Sequence, residues 1–294
     1  MTALPVAHIG ILVADLETSR HRWSTVLGQP FSPITRYRST TWSDRGDPRP
    51  HLHDARLSFY LGDHPSVELL EFVGTGTHAP SKGEGGHHLS FPPIADNSRR
   101  RSELAEMGVG IDGEIFHDGR WIFQFTEAEA LNNVYTEWVE EHPDHPDVKD
   151  DLSPVNRLPD GTKTLFDVDT ILGLPDGRPS SRIAEIGVAV AEVSAALDRW
   201  QAIIGYDLEI LGPDCAISRE RKPRIRLEQG VAGGHEGLRY AVVVEPDLEG
   251  TLARLQQATV PLAASRRSAV GVLQRVEVSP AYLNNFGIIF VASD

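Results

Sequence analysis

Cysteine is nearly absent: Cys215 stands alone in a chain of 294 residues. An intramolecular disulfide and any paired-cysteine zinc or redox site are therefore excluded, and a reducing cytoplasm is the expected compartment. Long apolar runs are missing too. The stretch VAHIGILVA at 6–14 has nine residues, far short of the roughly 20 a spanning helix needs, and no basic segment precedes it. It reads as a strand, so no membrane partner is expected. Basic residues are outnumbered, 28 against 42 acidic ones, and the formal charge of −14 opposes a phosphate backbone. Nucleic acid is excluded as a partner, because such binding depends on Lys and Arg displacing counterions.

What the chain does have is repetition. AHIGILVADLETSRHRWSTVLG at 7–28 returns as AEIGVAVAEVSAALDRWQAIIG at 184–205 without an insertion, at a constant shift of 177 positions. Such self-similarity means a fold built by duplication. In each copy an apolar run gives way to an acidic residue (Asp15, Glu192) and then to an amphipathic helix closed by a glycine (Gly28, Gly205). After the first helix, strands are expected around Thr35–Trp42, at 55–62 and at 66–74. The pattern restarts at HHLSFPPIADNSRRRSELAEMGV (87–109), with strands in GEIFHDG, RWIFQFTE and NVYTEWVE and turns at Asp118-Gly119 and Asn132-Asn133.

A third unit begins at Ile183 and a fourth at GLRYAVVVEPDLEGTLARLQQATV. The fourth aligns with the second at a shift of 151, pairing His88 with Arg239, Asp96 with Asp247 and Leu104 with Leu255, and the closing strands LNNVYTEWVE and LNNFGIIFVA also match. The reading is an α+β fold of four βαβββ modules in two tandem domains, 1–142 and 183–294. Between them 143–182 reads as a Pro- and Asp-rich linker, in which TLFDVDTILGL is apolar enough to dock.

The first and last strands of each N-terminal module carry a histidine and a glutamate: His8 and Glu68, then His88 and Glu137. Taken singly, each is an ordinary core histidine or solvent-facing strand glutamate. Taken together, two modules related by a pseudo-twofold would bring all four to one point, and two imidazoles with two carboxylates suit a divalent transition metal that keeps open positions.

The motifs HIGILVADLETSRHRW, VELLEF, GGHHLSF and NVYTEWVE resemble the vicinal oxygen chelate superfamily, which includes glyoxalase I, methylmalonyl-CoA epimerase, extradiol dioxygenases and bleomycin resistance proteins. The resemblance implies an open, cup-shaped sheet around one metal in each pair of modules. It also implies His8, Glu68, His88 and Glu137 as ligands of a divalent ion (Zn, Ni, Co, Mn or Fe), with His88 chosen over His87 because it directly precedes Leu89-Ser90-Phe91. His87 is expected on the opposite face. In the C-terminal half the equivalents read as Glu185, Arg226, Arg239 and Ile289, which cannot hold a cation, so this half is expected to keep the fold without the metal. An ion pair of Glu185 with Arg226 or Arg239 is expected there.

Weaker features remain. HLH at 51–53 reads as a polar loop rather than a metal site, Arg36 and Arg38 as a solvated strand face, and His117, Arg120 and Trp121 as residues flanking a turn within reach of substrate. The resemblance implies a small-molecule substrate with vicinal oxygens and allows a homodimer. Proton transfer beside a carbonyl, as in an isomerase, epimerase or lyase with Glu137 or Glu68 as base, is the leading reaction class. An extradiol-type ring-cleaving dioxygenase and a small-molecule binding or resistance protein are the alternatives.

Overall fold

The computed structural model describes residues 4–60, 62, 65–117, 119–140, 181–220, 223–230 and 234–293, so the stretch 141–180, which includes TLFDVDTILGL, lies outside the described residues. Four βαβββ modules follow one another. The first is β1 (His8–Val13), α1 (Leu16–Leu27), β2 (Thr35–Asp44), β3 (His51–Phe59) and β4 (Ser66–Glu71). The second is β5 (Gly85–Ser90), α2 (Asn97–Glu106), β6 (Ile111–His117), β7 (Arg120–Thr126) and β8 (Tyr135–Val139). The third runs through β9 (Arg182–Val190), α3 (Val193–Ile204), β10 (Leu208–Gly212), β11 (Cys215–Ser218) and β12 (Arg224–Gln229). The fourth is β13 (Gly237–Glu245), α4 (Leu248–Gln257), β14 (Leu262–Arg267), β15 (Leu273–Val278) and β16 (Gly287–Ala292).

The local causes match the sequence signals. Asp15 accepts a 2.9 Å hydrogen bond from the Thr18 amide and so caps α1, whose C-terminus turns at Gly28 in the left-handed region at φ 73°. Leu16, Trp23, Val26 and Leu27 form the buried stripe of α1. HLH is not a loop. It opens β3, and its second histidine, His53, is buried and stacked on Trp42 at 4.3 Å between ring centroids.

The two halves close differently. In the C-terminal half the strands form an open sheet in the order β10-β11-β12-β9-β13-β16-β15-β14. In the N-terminal half the corresponding sheet is a closed barrel, β1-β4-β3-β2-β6-β7-β8-β5, where an open cup was expected. The difference lies in strand length: β2 has 10 residues and reaches β6 through Trp42↔Ile115, Ser43↔Glu114 and Asp44↔Gly113, whereas β10 has 5. No helix among the described residues is long and apolar enough to cross a membrane.

One apolar cluster lies between the halves and takes in Ile9, Ile11, Trp23, Ile186, Val188, Trp200 and Phe286; a second, with Leu12, Trp42, Phe59 and Phe125, fills the barrel. The halves are joined by a pair of matching hydrogen-bond chains. Trp23 Nε1 donates to Asn284 Oδ1 (3.1 Å), and Asn284 Nδ2 donates to Glu84 Oε1 (2.9 Å), which also accepts from the Ala14 amide (2.7 Å). Its counterpart runs from Trp200 Nε1 to Asn132 Oδ1 (2.9 Å), then from Asn132 Nδ2 to Glu236 Oε1 (2.9 Å), which accepts from the Ala191 amide. Module one thus grips module four, and module three grips module two. Arginines add to this: Arg254 donates to the Val26 carbonyl (3.0 Å) and Arg100 to the Ile203 carbonyl, each at the C-terminal end of a helix in the other half.

Asn132 and Asn284 both sit at positive φ, 55° and 53°. Asn284→Gly, which keeps that conformation accessible, should lower the stability to urea by about 1–3 kcal/mol, since Trp23 Nε1 then loses its buried acceptor. A variant as stable as the wild type would show that the chain does not hold the halves together.

Candidate metal centre

The barrel interior places four adjacent strands, β4-β1-β5-β8, around one point. Alternation along β1 sends Ile9, Ile11 and Val13 to the core between the halves and His8 into the barrel. Glu68 on β4 and His88 on β5 both lie opposite Gly10 in register, and Ser90 on β5 lies opposite Glu137 on β8. Gly10 is obligatory here: a Cβ added to it would stand 1.9 Å from His88 Cε1. The glycine of the repeated Ile-Gly pair is the space the imidazole occupies.

The four side chains expected as ligands do come together. His8 Nε2 lies 3.2 Å from His88 Nε2 and 3.6 Å from Oε2 of both Glu68 and Glu137, while His88 Nε2 lies 3.1 Å and 3.2 Å from the same two oxygens. All four residues are buried, and one ligand atom from each lies within 4.8 Å of the others. A tetrahedral ion with bonds of about 2.0–2.2 Å holds its donor atoms about 3.3–3.6 Å apart, so the quartet is spaced for one divalent cation.

The electrostatics point the same way. Burial alone would lower the pKa of His88, but hydrogen bonds and charge from Glu137 and Glu68 outweigh it and push it up to about 9. Burial would raise Glu137, yet the charge of His8 and hydrogen bonds from His8 and His88 hold it well below the usual carboxylate range. Two carboxylates in a dry interior demand a positive charge. Glu137 is further fixed by Ser90, whose hydroxyl donates to Oε1 at 2.9 Å.

His87 does not turn away as expected. Gly10 pairs with His88 but Ile11 pairs with Gly86, so His87 is the extra residue of a β-bulge, which re-aims its side chain. Its Nδ1 lies 2.9 Å from Nδ1 of His88 and its Nε2 lies 3.0 Å from the Thr77 carbonyl oxygen. Beyond Glu68 and Glu137 the barrel wall is aromatic (Tyr37, Trp42, Phe123, Phe125) with two further imidazoles, His53 and His78, and it encloses about 20 Å³, room for about one water. Burial lowers His53 to about 4 and His78 well below its ordinary value. Both ring nitrogens of His78 lack a partner among the described residues.

His53, His78, His87 and Ser90 were not among the residues singled out as ligands or bases. His87 and Ser90 carried a signal as neighbours of His88 within GGHHLSF and His53 as part of HLH, read as a polar loop; His78 carried none. Arg36 and Arg38 lie on the outside of the barrel beside Asp54 (2.5 Å and 3.4 Å), the solvated face expected. Arg120 pairs with Glu140 and Trp121 packs on Phe116, away from the cavity.

In the C-terminal half Gly187 lies opposite both Arg226 and Tyr240, and Tyr240 is adjacent to β16. The counterpart of His88 is therefore Tyr240 and not Arg239, which is the bulged residue and matches His87. A Cβ on Gly187 would meet the Tyr240 ring at 2.2 Å, just as Gly10 meets His88. Glu185 and Arg226 form the expected ion pair at 2.6 Å. A cup of about 260 Å³ opens above them.

No family model matches the chain, and no curated protein matches it in sequence. Solved structures do match in shape. A variant of 4-hydroxymandelate synthase from Streptomyces coelicolor superposes with a TM-score of 0.62 at 11% identity, over 99% of this chain and 93% of that one. The Mn(II)-bound glyoxalase from Novosphingobium aromaticivorans gives 0.59 at 11% identity, over 99% and 82%. The 2,2',3-trihydroxybiphenyl 1,2-dioxygenase from Sphingomonas wittichii strain RW1 gives 0.55 at 10%, over 99% and 91%. The chain has the tandem-domain fold of the vicinal oxygen chelate superfamily.

One divalent ion per chain is expected on metal analysis. A His8→Ala, His88→Ala double variant should lose it and Tyr240→Ala should keep it; equal metal content in the wild type and the double variant would rule the quartet out. The proton on His88 competes with the metal. Its folded pKa of about 9 lies above the ordinary 6.5, so in the metal-free protein it adds stability that is complete below pH 6.5 and lost as the pH rises through about 9. Metal affinity should accordingly tighten about tenfold per pH unit up to that value, as a chelator competition series will show.

Proposed function

We propose that the protein is a metal-dependent enzyme that moves a proton on a carbon beside a carbonyl of a small molecule with vicinal oxygens, as an isomerase, epimerase or lyase. The observation that carries this reading is the second carboxylate: Glu68 and Glu137 both reach the quartet and both face the cavity. His8, Glu68, His88 and Glu137 would hold the divalent ion, which would supply Lewis-acid stabilisation to oxygen charge. The chain's own residues do the rest. Glu137 is the favoured base, its carboxylate oriented by the Ser90 hydroxyl, which donates to Oε1 and leaves Oε2 directed at the quartet. Glu68 is the other carboxylate within reach. His78 gives the aromatic wall its polar contact, a partner for a substrate oxygen. A cavity of about 20 Å³ excludes bulk water.

A ring-cleaving dioxygenase is the second reading, favoured by the aromatic wall and by the trihydroxybiphenyl dioxygenase among the structural neighbours. A binding or resistance protein accounts less well for four converging ligands. The single cysteine supports a cytoplasmic setting.

Solvent deuterium exchange into 2-oxo compounds and acyl thioesters, run on metal-loaded protein in air and under strict anaerobiosis, tests the choice. Proton transfer predicts equal rates in both, and Glu137→Gln should lose about two to four orders of magnitude. Oxygen consumed in step with product, with Fe(II) alone active, would replace this reading by the second.

A further inference from the structure

We propose that His87 is a positioning residue, whose Nδ1 accepts the Nδ1–H of His88 and so keeps His88 Nε2 directed at the metal position. The inference rests on reading the quartet as a metal site. Its geometry starts from Thr77. A carbonyl oxygen only accepts, so at 3.0 Å from it Nε2 of His87 carries the hydrogen. The neutral imidazole then has its lone pair on Nδ1, 2.9 Å from Nδ1 of His88, and the hydrogen between them belongs to His88. What remains on His88 is Nε2, the atom that lies 3.1–3.2 Å from the two carboxylates. The chain Thr77, His87, His88 thereby assigns the ring nitrogen that faces a cation.

The relay is rigidly held. His87 is 4% exposed and stacks on Tyr135 at 4.3 Å between centroids with 24° between planes. The bulge that places it is a feature of the strand, since the C-terminal half has the same irregularity between Leu238 and Tyr240. There Arg239 occupies the bulge and Tyr240 the position of His88. Both imidazoles are missing from the half in which Glu185 and Arg226 pair with each other.

The test uses the full chain with Zn(II) as probe. His87→Phe keeps a ring against Tyr135 and removes both hydrogen bonds. It should weaken Zn(II) binding, read by chelator competition, by about 10–100-fold, the usual effect of losing such an orienting partner. His87→Asn places Oδ1 near the position of Nδ1 and should recover most of that loss. In the wild type without metal, ¹⁵N-edited NMR should find a slowly exchanging Nδ1–H on His88 coupled to His87. Unchanged Zn(II) affinity in His87→Phe, an Asn variant as weak as the Phe variant, or a His88 Nδ1 that bears no hydrogen in the wild type would each overturn the proposal. Wild-type protein that binds no Zn(II) would instead refute the metal reading, and the NMR signal would still decide whether the relay exists.

Discussion

Two carboxylates buried within reach of each other are the constraint on which the N-terminal half depends. Glu68 and Glu137 are 3% and 2% exposed, and ions of like sign in a dry interior cost several kcal/mol each unless a positive charge joins them. The proton on His88 meets that demand in the metal-free chain, and a divalent ion meets it better. The surrounding features serve the same arrangement. Gly10 gives up its side chain for the His88 ring, a bulge swings His87 into contact with it, and Ser90 holds the outer oxygen of Glu137. A cation at this point would be the common counter-charge of Glu68 and Glu137.

The C-terminal half answers the same problem without an exchangeable ion. Arg226 takes the position of Glu68 and brings its own positive charge to Glu185, while Ile289 and Tyr240 replace the remaining ligands. A guanidinium bonded to a carboxylate satisfies both groups internally and leaves no vacancy in the charge balance. Enclosure follows the same division. Where the quartet sits, a long β2 seals the barrel; where it is lost, β10 is too short to reach β14 and the cup stays open. The quartet and the closed barrel thus occur in the same half.

Much of this is legible in the sequence because the modules repeat. Residues on the first and last strands of a βαβββ unit keep their face by period-two alternation, so the convergence of His8, Glu68, His88 and Glu137 can be expected without coordinates. The misplacement of Arg239 has a plain cause. Leu104 and Leu255 align the helices at a shift of 151, but His88 and Tyr240 stand 152 apart because one residue fewer separates strand from helix in the fourth module, and Glu137 and Ile289 stand 152 apart because one residue more follows that helix. The helix pattern fixed the register and the strand slipped by one, which sends the side chain to the wrong neighbour. HLH shows His53 in the sequence but not its burial, and His78 has no motif at all. Their burial depends on β2 pairing with β6, a contact between segments far apart in sequence, and nothing local reports it.

The identities shared by the two copies also record a division of labour. Trp23 and Trp200, and Asn284 and Asn132, recur in sequence and all act between the halves, whereas the ligands recur nowhere. Among what both copies retain are the residues that join them. The junction also bears on the metal position. Glu84, which ties Asn284 of the fourth module to the Ala14 amide of the first, directly precedes β5, the strand that carries His87 and His88. Leu238 of β13 packs where a side chain on Gly86 would stand, so the start of that strand is held from the other half. The C-terminal half, which lacks the quartet, therefore packs against the strand that presents both imidazoles.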